Sequence, residues 1–116
     1  MGLDIVVDGN PNLDFRAGSY SGFHEWRCWL ASILGLDYNK LIFKIDMPFS
    51  ELFFHSDCDG TLGVRACKQL LKDFDYHIFI AMLSKAGDPW LFGSYRRWHE
   101  AVRAVAENHA RKIVFC

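Results

Sequence analysis

Two short β-type runs stand near the two ends of the chain, Leu3-Asp4-Ile5-Val6-Val7 and Lys112 to Cys116, and the fold has to bring them together. An unpaired strand edge exposes its N–H and C=O groups, and a loose terminal strand is poorly ordered. The closing strand is therefore expected to insert beside Leu3 to Val7. Turn residues Asp8-Gly9-Asn10-Pro11-Asn12 end the first strand, and a second short strand, Leu13 to Ala17, is expected to return beside it.

Three helical stripes lie between. After Gly18-Ser19-Tyr20-Ser21-Gly22, Ser19 or Ser21 is placed to cap a helix from Phe23 to Leu34, a contribution of about 1 kcal/mol. Phe23, Trp26, Leu30, Ile33 and Leu34 fall at helical spacing, and Gly35 is a natural stop. Leu41 to Ile45 reads as a strand that Pro48 interrupts, and Leu52-Phe53-Phe54 as a further short strand. Asp57-Cys58-Asp59-Gly60 is the next turn, and a second helix from Thr61 puts Val64, Cys67, Leu70, Leu71 and Phe74 on one side.

Residues 75 to 84 fit two periods. Ile78, Ala81 and Met82 extend the helical stripe, while Tyr76, Ile78, Ile80 and Met82 alternate as a strand does; helix is the preferred reading. Asp88-Pro89 opens a third helix marked by Tyr95, Trp98, Val102, Val105 and His109, with Arg96, Arg97, Glu100 and Arg103 mostly outside the stripe. The expectation is an α+β fold, a small, mostly antiparallel sheet of short strands packed against two or three helices, in one domain spanning 1–116.

Composition excludes several classes. Half the 116 residues are apolar, with ten Phe, four Trp and four Tyr, so the disorder signature is absent. A formal net charge of −1 supplies no global field for a polyanion, which argues against non-specific nucleic-acid binding. Apolar runs such as His77 to Leu83 are far shorter than the roughly 20 residues that cross a bilayer, and Met1-Gly2-Leu3-Asp4 has no basic leader. Cys28, Cys58, Cys67 and Cys116 show no C-x-x-C spacing and read as reduced thiols, which places the chain in a cytoplasm. None of the five histidines forms a zinc motif, so no metal site is expected; His24-Glu25 and His99-Glu100 would need their helices side by side to share an ion.

Asp57-Cys58-Asp59-Gly60-Thr61-Leu62 looks like the D-x-D-G-T-L opening motif of haloacid dehalogenase-type phosphatases. That resemblance implies Asp57 as nucleophile, Asp59 as acid/base and Mg²⁺ as cofactor, since a carboxylate can take a phosphoryl group that Mg²⁺ helps to hold. The later paired-acid motif of that family is missing, however, and only 54 residues follow Leu62. A helix-capping turn explains the same acids. Cys58 beside His55 has no accompanying oxyanion pattern, and Gly18 to Gly22 has Tyr20 where a nucleophile elbow needs Ser.

The Gly18 to Gly22 loop has the better argument for binding. Free N–H groups at a helix start favour an anion, Ser19 and Ser21 can donate to it, and Arg16 and Arg27 can add charge-assisted contacts. Tyr20, Phe23 or Trp26 can stack on a base at roughly 1–3 kcal/mol each; the alternative is a loop that only caps the helix, with these aromatics packed in the core. A second aromatic and basic cluster, Trp90, Tyr95, Arg96 and Arg97, has the composition of an interface hot spot; the alternative is a helix start whose Trp and Tyr point inward. Gly18 to Glu25 also echoes Gly93 to Glu100 at five of eight positions, too briefly to mark a repeat.

With Met1-Gly2-Leu3-Asp4-Ile5, Gly18-Ser19-Tyr20-Ser21-Gly22, Trp26-Arg27, Trp29-Leu30-Ala31, Ser56 to Gly60, Ala106-Glu107-Asn108 and Val114-Phe115-Cys116 together, the chain resembles small bacteriophage- and prophage-encoded proteins in scattered patches over most of its length. Such proteins are often inhibitors of host antiviral defence. The resemblance implies a non-catalytic binding protein in the bacterial cytoplasm that sequesters a nucleotide-like signal or blocks a host defence protein. It implies no cofactor; a Mg²⁺-dependent phosphohydrolase is the alternative. The sequence leaves a homo-oligomer open.

Overall fold

A computed structural model describes residues 2–41, 47–84 and 88–116 of the chain. It has an antiparallel four-stranded sheet with helices packed on it, the α+β architecture expected. The strands are β1 (Gly2–Asp8), β2 (Phe15–Ser19), β3 (Thr61–Leu62) and β4 (Lys112–Phe115), in the order β2-β1-β4-β3. The helices are α1 (Tyr20–Ile33), the single turn α2 (Ser50–Phe53), α3 (Val64–Leu83) and α4 (Pro89–Ala106).

The two ends of the chain do meet. β4 runs antiparallel to β1 with Ile5 opposite Phe115 and Val7 opposite Ile113, and β3 covers its other edge, so the closing strand is interior. Alternation sets the inner face: Leu3, Ile5 and Val7 are buried, while Asp4, Val6 and Asp8 turn away. The return strand begins two residues later than Leu13. Pro11–Leu13 forms a 3-10 turn with Pro11 at its start, and the Asp14 carboxylate accepts from Val7 N–H at 2.7 Å, which holds residues 11–14 out of the ladder.

Helix α1 starts at Tyr20, three residues earlier than its apolar stripe suggests, because Ser19 caps it: Ser19 Oγ accepts from Gly22 N–H at 3.0 Å. Gly35 sits at φ +74°, the left-handed conformation that ends helices. Leu52-Phe53-Phe54 is not a strand; Ser50–Phe53 turns once as α2, tied to buried groups described below. Thr61 and Leu62 pair with β4, so α3 begins only at Val64. Residues 76–83 are helical, as preferred, and the expected strand at 41–45 lies, beyond Leu41, outside the described residues. Asp88 caps α4 by accepting from Trp90 N–H at 3.0 Å, and His109 falls past the helix end.

Trp98 is the centre of the core. Its ring stacks on Phe23 and on Trp26, each at 5.9 Å, and meets Phe15 edge-on at 5.2 Å and Phe115 at 5.6 Å. Helices α1 and α4 are thereby joined to β2 and β4 through aromatic faces, whose pairs add about 0.5–1.5 kcal/mol beyond area burial. A second aromatic group, Phe49, Phe53, Phe74 and Tyr95, fills the space between α2, α3 and α4, where Tyr95 O–H donates to Phe74 C=O at 2.6 Å. Phe49 occupies the left-handed region at φ +60°, held by its N–H bond to the Asp73 carboxylate at 3.0 Å.

Candidate functional site

The six residues expected to bind a ligand at the Gly18 loop separate into two groups. Ser19 and Ser21 are exposed, 3.1 Å apart through their hydroxyls, and Ser19 is engaged as the α1 cap. Arg16 is exposed and pairs with Asp4 at 3.5 Å, and Tyr20 is half-buried against the core. Trp26 and Arg27 point the other way. Trp26 has no exposed surface and its ring N–H donates to Leu91 C=O at 3.1 Å. Trp90 closes over Gly18, where an added Cβ would lie 3.2 Å from its ring.

Arg27 is an internal anchor. Only 5% exposed, it donates from Nη1 to the carbonyls of Leu52 at 3.1 Å, Phe53 at 3.4 Å and His55 at 2.9 Å. Its guanidinium lies 4.3 Å from the centre of the Phe23 ring, and burial pushes its pKa down while Tyr38 and Asp57 pull it up. Tyr38 O–H donates to the same Phe53 carbonyl at 3.0 Å. These donors satisfy carbonyls at the end of α2, which explains why residues 52–54 coil into a helical turn instead of a strand.

The Asp57 to Leu62 segment has different surroundings from the phosphatase motif it resembles. Asp57 is half-buried and Asp59 exposed, in bends between α2 and the edge strand β3 of an antiparallel sheet; the doubly wound parallel sheet of that family is not present among the described residues. Both ring nitrogens of His55 meet carbonyls, Ser56 at 2.8 Å and Thr61 at 3.2 Å, and the ring stacks on Phe115 at 3.8 Å. Cys58 has a different partner, its sulfur facing Ser56 Oγ at 3.5 Å. All four cysteines are free, and burial pushes the Cys67 thiol up to about 12. Among the described residues no three His, Cys, Asp or Glu side chains converge as metal ligands.

The cluster on α4 also divides. Arg96 and Arg97 are exposed, Trp90 is half-buried, and Tyr95 is in the core with its phenol pKa raised by desolvation. His99 is buried, 2.6 Å from the Asp75 carboxylate that Arg103 also meets at 3.2 Å. The echoed segments have different backbones, one at a strand-to-helix junction and one inside α4, yet their Phe23 and Trp98 stack on each other.

Among the described residues the most exposed apolar surface is elsewhere, on α3, and its residues were not among the expected site residues. Tyr76 is 83% exposed, Phe79 73%, Ile80 44% and Leu83 83%, with Met82 flanking at 40%. Tyr76, Phe79, Ile80 and Leu83 follow at i, i+3, i+4 and i+7, so they form one stripe. On the opposite side Cys67, Leu70, Phe74 and Ala81 are buried against the core. The signal in the sequence was the double period of residues 75–84: a segment that fits both patterns is apolar on every side, and a surface helix can bury only one. Along the same helix, Arg65, Lys68 and Lys72 line an open trough of about 700 Å³ with Ser50 and Glu51.

No protein-family model, curated protein or solved structure matches this chain. No helix among the described residues is long and apolar enough to cross a membrane.

Proposed function

We propose that this chain is a non-catalytic protein-binding module whose contact face is the stripe Tyr76, Phe79, Ile80 and Leu83 on α3. One observation carries the reading: two consecutive aromatic-rich turns of a well-packed helix stand in solvent on the side away from the core. Interface cores are enriched in Tyr, Phe and Met and depleted of charge, and this stripe has that composition. A blocker of a protein partner, such as an inhibitor of host defence, fits better than a scavenger of a nucleotide signal. Sequestration at the Gly18 loop was to use Trp26 and Arg27, which are in the core, and Ser19, which caps α1. Phosphoryl transfer from Asp57 finds less support in an antiparallel sheet whose edge strand is the motif's own Thr61–Leu62.

The test is a photo-cross-linking residue placed at position 79 or, as a control, at exposed position 97, in cells that make the protein. Position 79 is expected to give a discrete protein adduct and position 97 none. Equal labelling at both, or none at 79, would refute the reading.

A further inference from the structure

We infer that the stripe on α3 is covered by the same stripe of a second copy, the two α3 helices lying antiparallel about a two-fold axis. This rests on the protein-binding reading and names the partner. The spacing i, i+3, i+4, i+7 is the seam by which helices pair side by side, and a closed two-fold contact needs a surface complementary to itself. Antiparallel pairing centred between Phe79 and Ile80 sets Tyr76 against the partner's Leu83 and Phe79 against the partner's Ile80. Each large ring then meets an aliphatic side chain, and no charge of the stripe is desolvated.

Area supports a second copy. Aromatic side chains offer about 150–250 Å² each, so the exposed parts of Tyr76, Phe79, Ile80, Met82 and Leu83 come to roughly 600 Å² per copy. The pair would bury roughly 1,200 Å² before its rim is included, the lower bound of stable, specific interfaces.

Charge selects the direction. Lys72 is exposed one turn before Tyr76 on the same side of α3, and the last turn of α3 contains no basic residue. In this register Lys72 faces the level of position 87, beyond the last residue of the partner helix, so antiparallel pairing keeps the two Lys72 charges about 22 Å apart along the seam. Parallel pairing would instead set Lys72 beside its own copy. Asp75, the acid nearest the seam, is already paired with His99 and Arg103 on its own chain.

Sedimentation velocity on the full chain from about 1 to 200 μM tests this, with far-UV melting as the folding control. A concentration-dependent dimer is expected. Phe79→Glu should weaken it at least 100-fold, since a two-fold contact repeats the lesion and brings two carboxylates together, and Tyr76→Lys should act similarly. Lys72→Ala should leave it within about threefold; a strengthening of tenfold or more, as relief of a Lys72–Lys72 contact would give, would overturn the antiparallel arrangement. A chain that is monomeric throughout, or a dimer indifferent to Phe79→Glu, would overturn the second copy. If that monomer still gives a discrete adduct with another protein from position 79, the binding face stands and only its partner changes; if it gives none, both readings fall.

Discussion

Arg27 separates a structural from a ligand-binding role within one experiment. In Arg27→Ala the carbonyls of Leu52 and His55 lose their charged donor, while Phe53 C=O keeps Tyr38 O–H at 3.0 Å. Each buried carbonyl left without a partner costs about 1–3 kcal/mol, and the lost stem leaves a void against Phe23. Removing a desolvated cation returns part of this, because burial already disfavours the charge. A net loss of about 3 kcal/mol follows. For a chain of this size each kcal/mol moves the melting temperature by about 3–6 °C, so Arg27→Ala should melt roughly 10–15 °C below the parent by circular dichroism. Arg27→Met, which keeps the stem and leaves the same carbonyls unpaired, should fall between the two. Arg16→Ala, which removes only an exposed pair at 3.5 Å, should melt within about 2 °C of the parent. An Arg27→Ala protein that melts within the same 2 °C would show that the three carbonyl bonds do not hold α2 and would return Arg27 to the list of ligand contacts.

Two further outcomes follow from buried titratable groups. Thiol alkylation of the native protein, read by mass spectrometry, should modify exposed Cys58 and Cys116 quickly and Cys67 only on unfolding, since burial and the neighbouring Glu51 push its pKa up to about 12; equal rates would contradict the packing around Cys67. Asp73 has its pKa raised by desolvation, against its bond from Phe49 N–H, so the folded state holds that proton more tightly than the unfolded state. Its contribution to stability is present below the ordinary carboxylate range and is lost as pH rises through the raised value. Asp73→Asn keeps an acceptor for Phe49 N–H without the charge, so relative to the parent its melting temperature should gain as pH rises from 3 to 7 and level off; parallel curves would refute the assignment.

Much of the fold was legible because local signals agreed with the global answer. Asp8 to Asn12 ended β1, Gly35 ended α1 at positive φ, and Asp88-Pro89 opened α4 as cap and first residue. The α2 turn was not legible, because its cause is non-local: carbonyls at 52–55 turn towards a guanidinium 25 to 28 residues earlier in the chain. The Gly18 loop was legible as a cap, and of its two readings the core-packed one describes Trp26. Spacing places Trp26 and Arg27 one turn beyond Phe23, on the buried side of α1, and the charge-assisted contacts expected of Arg27 are made to carbonyls of its own chain that converge on it.

The conflict that sequence periodicity could not resolve at residues 75–84 is itself the functional signal. A helix face in solvent ordinarily carries charge, and α3 obeys this over Arg65, Lys68 and Lys72. From Tyr76 onward it stops obeying while the inward face keeps its apolar residues, so the change is confined to the outer side. Folding of the monomer does not require it: exposed positions contribute within about 0.5 kcal/mol, and polar residues there would be tolerated. On the proposed reading the outer side is the contact face, since at roughly 600 Å² it stands at the upper end of the apolar patches that monomers expose, and such patches are often functional. If the proposed contact face is right, stability and binding are encoded on opposite sides of the same two turns, and substitutions at Tyr76, Phe79 and Leu83 should alter association while leaving the melting of the isolated chain almost unchanged.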